Sequence, residues 1–197
     1  MTRHANDISR ILSVSSVSII MLMFLLAAYM NSFEKGKIDK NIFTVSQALA
    51  FGNKPAMVLM LTAGLALLLL LNYYRGLPYL YIRLFLIVVM YAFITTIFWV
   101  TTFYNKKDHY ILASIIFISA VIYITFTSMA LYKFNKNLSP INTMLIYAIP
   151  LLSIIGIVGL VVGNIKVVND KVPQVFPSFE NYLLFLMGLS SILLGFI

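Results

Sequence analysis

The chain has 197 residues, of which 61% are hydrophobic and only 10% charged, where an ordinary soluble domain carries roughly 25% charged residues. It has no cysteine and two histidines, His4 and His109; this excludes a disulfide scaffold, a thiolate metal site, a cysteine nucleophile and the usual zinc or haem centre, so neither metal nor cofactor is expected. The net charge of +8 comes from 14 Lys and Arg residues dispersed between apolar runs, which points to anchoring at a membrane rather than to nucleic acid, whose binders gather their positive charge on one face.

A bilayer core about 30 Å thick takes roughly 20 apolar residues to cross as a helix. Six stretches approach that length, at about 11–30, 56–74, 81–104, 110–132, 141–163 and 181–197. The expected fold is therefore all-α: one integral membrane domain over 1–197, a polytopic bundle of about six transmembrane helices. The first stretch, preceded by Arg3 and Arg10, resembles a signal peptide but is too long, and Ala27-Ala28-Tyr29-Met30 is a poor cleavage site; a retained helix is expected. The last 17 residues reach about 25 Å, so the end at Ile197 is expected to meet an interface, to be sheltered by protein or to mark a truncation.

The connections differ in character. The long one, Asn31 to Pro55, is polar through Ser32–Lys40 and semi-apolar through Val45–Gly52, a candidate interfacial or folded-back helix. Arg75-Gly76-Leu77-Pro78 is a tight turn, and Pro140 is placed to open the fifth helix. With both termini cytoplasmic, that side holds Arg3, Arg10, Arg75, Arg83, Lys133 and Lys136. The other side holds Lys35, Lys37, Lys40, Lys54, Lys106, Lys107, Lys166 and Lys171, together with Glu34, Asp39, Asp108, Asp170 and Glu180. A Lys/Arg count alone slightly opposes this orientation, whereas the placement of every Arg on the first side favours it.

The span interiors hold no Asp, Glu, Lys or His at mid-depth, which argues against proton pumps, ion-coupled transporters and voltage sensors. Arg83, near the start of the third span, is expected to snorkel to the interface. His109 and Glu180 open the fourth and sixth spans on one side of the membrane, with Asp108 adjacent. Three readings stay open for this cluster: helix capping and packing, headgroup binding, or general acid–base work. Hydroxyl-rich faces (Ser13, Ser15, Ser16 and Ser18; Thr95, Thr96, Thr101 and Thr102; Ser114, Ser119, Thr125, Thr127 and Ser128) are expected to bond backbone carbonyls or neighbouring helices. Gly159 and Gly163 form a GxxxG step beside Gly156, suited to internal packing or to dimerisation. No P-loop, nucleophile elbow or HExxH pattern is present.

Three segments resemble the six-helix DRAM-like superfamily, which includes GPI-anchor-remodelling relatives and prokaryotic domains of unknown function. Thr44-Val-Ser-Gln-Ala-Leu-Ala-Phe-Gly-Asn-Lys-Pro-Ala is similar to the Ser…Gly-Asn-x-x-Ala stretch leading into the family's second helix. Lys107-Asp-His-Tyr-Ile-Leu-Ala-Ser is similar to its His-x-x-x-Ala start of the fourth, and Phe179-Glu-Asn-Tyr-Leu-Leu-Phe to the acidic opening of its sixth. The chain departs from the animal branch in lacking loop cysteines and a tail after the sixth helix. The resemblance implies a role in lipid remodelling, membrane-lipid organisation or autophagy regulation, and maps Ser46, Asn53, His109 and Glu180 onto the family's polar positions.

The expected function is a non-catalytic multi-pass membrane protein that organises or binds lipid or regulates a membrane partner. Its expected partners are membrane lipids, with membrane proteins or further copies of the chain beside them. The alternatives are an accessory subunit of a larger membrane complex and an intramembrane lipid-modifying enzyme using His109 and Glu180. The candidate polar cluster is Ser46, Asn53, Asp108, His109 and Glu180.

Overall fold

The computed structural model describes residues 6–19, 22, 54–100, 106–135, 137–168 and 176–197. Among the described residues the chain forms six helices and no strand: α1 over residues 6–19, α2 Lys54–Arg75, α3 Leu80–Val100, α4 Lys106–Phe134, α5 Pro140–Val168 and α6 Phe176–Phe196. Several helices outrun the apolar stretches that suggest them. α4 begins at Lys106 rather than near 110, α5 continues to Val168 rather than 163, and α6 begins at Phe176 rather than 181. Hydropathy marks only the apolar part of a helix, whereas the backbone ladder continues into polar residues until a cap or turn ends it.

Local chemistry sets two of the boundaries. Ser139 caps α5: its Oγ accepts from the Asn142 N–H at 3.2 Å and its carbonyl from the Thr143 N–H at 3.0 Å, while Pro140 fills the first helical position, where a missing N–H costs nothing. Gly76 ends α2, with φ +54° and its N–H shared between the Asn72 and Tyr73 carbonyls at 3.2 Å each. A left-handed glycine just past the last turn is the commonest helix stop.

Successive helices α2 to α6 pack on one another in order, and α4–α6 and α2–α6 contacts close the bundle. Leu68, Leu71, Ile87, Met90, Tyr123, Ile124, Ile146, Ile149, Leu186 and Leu194 fill the common core. A smaller cluster of Phe117, Val121 and Leu183 joins the first halves of α4 and α6. α1 lies against α6, where Ser13 Oγ donates to the Ser191 carbonyl at 2.7 Å. Ser9, Ser13, Ser16, Ser190 and Ser191 are all buried, and a Cβ on Gly195 would stand 2.3 Å from that of Ser13. Small side chains let these two backbones approach closely.

α5 is peripheral and is interrupted by Pro150, which leaves the Ile146 carbonyl without its N–H donor one turn on. Among the described residues two helical stretches are long and apolar enough to cross a membrane by length and composition, Ile111–Phe134 and Pro140–Gly159; Leu59–Arg75, Leu80–Ile94 and Tyr182–Phe196 are shorter apolar helices. Residues 31–53 of the long connection, with its candidate interfacial helix, and residues 20, 21 and 23–30 of the first stretch lie outside the described residues.

Candidate functional site

The α2–α3 turn gathers the most unusual local structure. Within Arg75-Gly76-Leu77-Pro78-Tyr79, Gly76 and Tyr79 both have positive φ, +54° and +61°. A proline followed by a left-handed residue is the order of a type II turn, which ordinarily places glycine second. A tyrosine there costs about 1–2 kcal/mol. Its ring offsets that cost: it meets Phe126 of α4 edge-on at 5.5 Å between centroids and lies under Lys133 Nζ at 5.6 Å. Such contacts contribute about 0.5–1.5 kcal/mol each.

Behind the turn lies a buried polar network. Arg83, from the first turn of α3, is 0% exposed. Its Nη1 donates to Asn72 Oδ1 at 2.6 Å and its Nη2 to the Leu77 carbonyl at 3.0 Å. Asn72 Nδ2 donates in turn to the Leu68 carbonyl and to Tyr123 Oη, both at 2.7 Å. One asparagine thus links α2, α3 and α4. This corrects the expectation that Arg83 snorkels outward. The negative end of α2, its following turn and the Asn72 amide lie within reach on the inner side, so Nη1 and Nη2 find acceptors there, while the buried Nε has none among the described residues. Both oxygens it holds are neutral. Arg75, 7% exposed, closes α2 nearby, and the two cations repel each other.

The same end of the bundle carries further contacts. Arg10 stacks over Phe196 with 5.8 Å from guanidinium to centroid, and Asn135 Nδ2 donates to the Ile197 main-chain oxygen at 3.4 Å. Tyr73, Tyr74, Tyr81, Tyr132 and Tyr147 are exposed within two turns of it, and Tyr132 and Tyr147 lie 5.6 Å apart.

The residues singled out from sequence belong elsewhere. Ser46 and Asn53 lie outside the described residues. Asp108 and His109 fall in the first turn of α4 and Glu180 in the second turn of α6, but their side chains are likewise outside the description. The Phe117–Val121–Leu183 contact brings these two helix starts to one end of the bundle, opposite the α2–α3 turn. The hydroxyls that are described mostly bond backbone: Thr125 Oγ1 to the Val121 carbonyl at 2.9 Å, Ser153 Oγ to Ile149 at 2.8 Å and Ser191 Oγ to Met187 at 3.0 Å. Gly156 packs inside, with a built Cβ 2.8 Å from Leu183 Cδ2. Among the described residues no three of His, Cys, Asp and Glu come together.

Asn72 and Tyr123 escaped the sequence reading because neither breaks an apolar pattern in a way that marks function. The available signal was an asparagine one turn before the end of an apolar helix, eleven residues ahead of an arginine across a Gly-Leu-Pro turn. Comparison of the chain with protein-family models, curated proteins and solved structures finds no match.

Proposed function

We propose that the chain is a multi-pass integral membrane protein of non-catalytic type, with about six spans, that binds and organises membrane lipid. The observation carrying this reading is the distribution of polarity. Ile141, Met144, Tyr147, Leu151, Ile154 and Val158 run along α5 at helical spacing and are all exposed, while Asn72, Arg83, Ser153, Thr127 and Ser190 are buried. In water so long a run of exposed apolar side chains along one helix is a liability for a soluble monomer. Acyl chains cover it without cost. The same environment explains why Ile-, Val- and Thr-rich segments such as α3 stay helical, since every backbone group in hydrocarbon must be paired within its own segment.

Helix length supports the fuller count of spans. α2 has 22 residues and α3 and α6 have 21 each, about 32 Å at 1.5 Å per residue, enough for a core of about 30 Å. The termini are assigned to the cytoplasm because the connections and span ends on that side then carry all four arginines, and the DRAM-like motifs suggest the same general class of activity.

The chain has no cysteine, so single-cysteine variants report topology directly. Gly76→Cys and Asn137→Cys should react with an impermeant maleimide from one face of sealed membranes, and Lys107→Cys and Asp170→Cys from the other. The protein should also resist extraction with alkaline carbonate. Labelling of all four from one face, or release into carbonate, would reject the reading.

A further inference from the structure

Three polar side chains meet at the Tyr123 phenol, and only Asn72 has each of its polar atoms paired. It takes Arg83 Nη1 on its oxygen and gives Nδ2 to Tyr123 Oη and the Leu68 carbonyl. Because the phenol oxygen accepts from Asn72, the phenol's own hydrogen is directed elsewhere. Arg83 and Thr127 are the other side chains whose polar groups act on that phenol, and each has a polar atom to spare. Arg83 Nε and Thr127 Oγ1 are buried without a hydrogen-bond partner among the described residues. Arg83, Tyr123 and Thr127 are all 0% exposed.

Thr127 differs from its neighbours in this respect. A hydroxyl buried on a helix commonly closes on a carbonyl of the preceding turn, as Thr125, Ser153, Ser190 and Ser191 do. Thr127 leaves that bond unmade. The Arg83 Nε–H is a permanent donor, since the guanidinium keeps its charge, and a buried donor left unpaired is costly. Around the phenol there are thus one N–H to be accepted and two hydroxyls, each able to give or to take.

We propose that a single buried water molecule completes this network, seated between Arg83 Nε, Tyr123 Oη and Thr127 Oγ1. Its oxygen accepts from Nε, and its remaining lone pair and hydrogens serve the two hydroxyls. Three partners are the ordinary complement of an internal water. A halide could take the three hydrogens but could not use the lone pairs that the hydroxyls also offer. The water joins α3 to α4 on the side of the phenol away from Asn72, and Thr127 is its positioning residue. The inference stands on the polar network and does not rest on the membrane reading.

The test is a crystal structure of the full chain grown from a lipidic mesophase, at a resolution that shows ordered water, with a second crystal soaked in bromide. The expected result is a density peak within about 3.2 Å of Arg83 Nε and Thr127 Oγ1, with no anomalous bromide signal. The peak should persist in Thr127→Ser and vanish in Thr127→Val, which keeps the shape of the side chain and removes its hydroxyl. Bromide at that position would make this an anion site and overturn the inference. A carbonyl or side chain of the protein itself in that position would overturn it too.

The melting temperature of Thr127→Val gives the answer in solution by its sign. In a dry network the substitution removes an idle hydroxyl from an apolar interior, and the melting temperature rises. With the water in place it deprives that water of a partner and Arg83 Nε of its acceptor, so the melting temperature should fall, by about 2–4 °C. An unchanged or raised value overturns the inference. Release of the chain by alkaline carbonate would end the membrane reading and leave this one standing.

Discussion

Asn72 is the residue on which the polar interior depends. It accepts from a buried guanidinium and donates both to its own helix and to Tyr123, so its neighbours do not lose equally when they are changed. Asn72→Ala takes one of two neutral acceptors from a buried cation, a loss of about 1.5–3 kcal/mol for a hydrogen bond to a charged group. Tyr123→Phe deletes one neutral acceptor and leaves Asn72 Nδ2 on the Leu68 carbonyl, for about 1 kcal/mol. Unfolding titrations in mixed micelles should give that order; equal losses would mean that Arg83 finds another acceptor. The residue scale is also where sequence reading fell shortest. Arg83 near a span start reads as a snorkelling cation, because hydropathy records depth and is blind to the acceptors that a preceding helix leaves at its end.

At the scale of helices, apolar runs and turn chemistry were legible: the stretches around α2 to α6, the Arg75–Pro78 turn and the opening of α5 at Pro140 can all be seen in the chain. The seam between α1 and α6 was not. Its serines are scattered through two apolar stretches nearly the whole chain apart, and a buried serine looks in sequence like an exposed one. Close approach makes the seam testable. A methyl group on Gly195 would meet Ser13 Cβ at 2.3 Å and the Ser9 carbonyl at 3.1 Å, so two backbones must separate. Gly195→Ala should destabilise by about 1–3 kcal/mol and expose α1 to protease. Ser13→Gly in the same chain should recover part of the loss. At Gly156 the nearest atoms are Leu183 Cδ2 and the Tyr182 ring, the far ends of side chains that can turn aside. Gly156→Ala should therefore cost less than Gly195→Ala, and the reverse order would place the tight crossing at α5–α6.

Among the described residues buried polar groups sit inside an apolar core while large apolar side chains cover much of the outside, and the bundle has two unlike ends. One end joins α2 to α3 and α4 to α5 and carries buried arginines, stacked cations and several exposed tyrosines. The other end begins α4 and α6 with Asp108, His109 and Glu180. The sequence draws attention to the second because histidine and carboxylates are scarce and stand out, whereas the first is assembled from arginines that look like ordinary anchors. The Asn72–Arg83 bond also bears on how the chain is made. On the proposed multi-pass reading, a lone α3 delivers an arginine to hydrocarbon, at about 2.5–3.5 kcal/mol for a helix centre and less near its end. Its two acceptors, Asn72 Oδ1 and the Leu77 carbonyl, are both already synthesised when Arg83 emerges. On that reading the α2–α3 hairpin brings its own counter-groups and is expected to leave the translocon as a unit, before α4 supplies Tyr123. In a glycosylation-reporter insertion assay, α3 should insert less well alone than behind α2, and Asn72→Leu in α2 should erase much of that advantage although it makes α2 itself more apolar. A hydrogen bond in the finished bundle would then have served first as the ticket by which its own third helix enters the membrane.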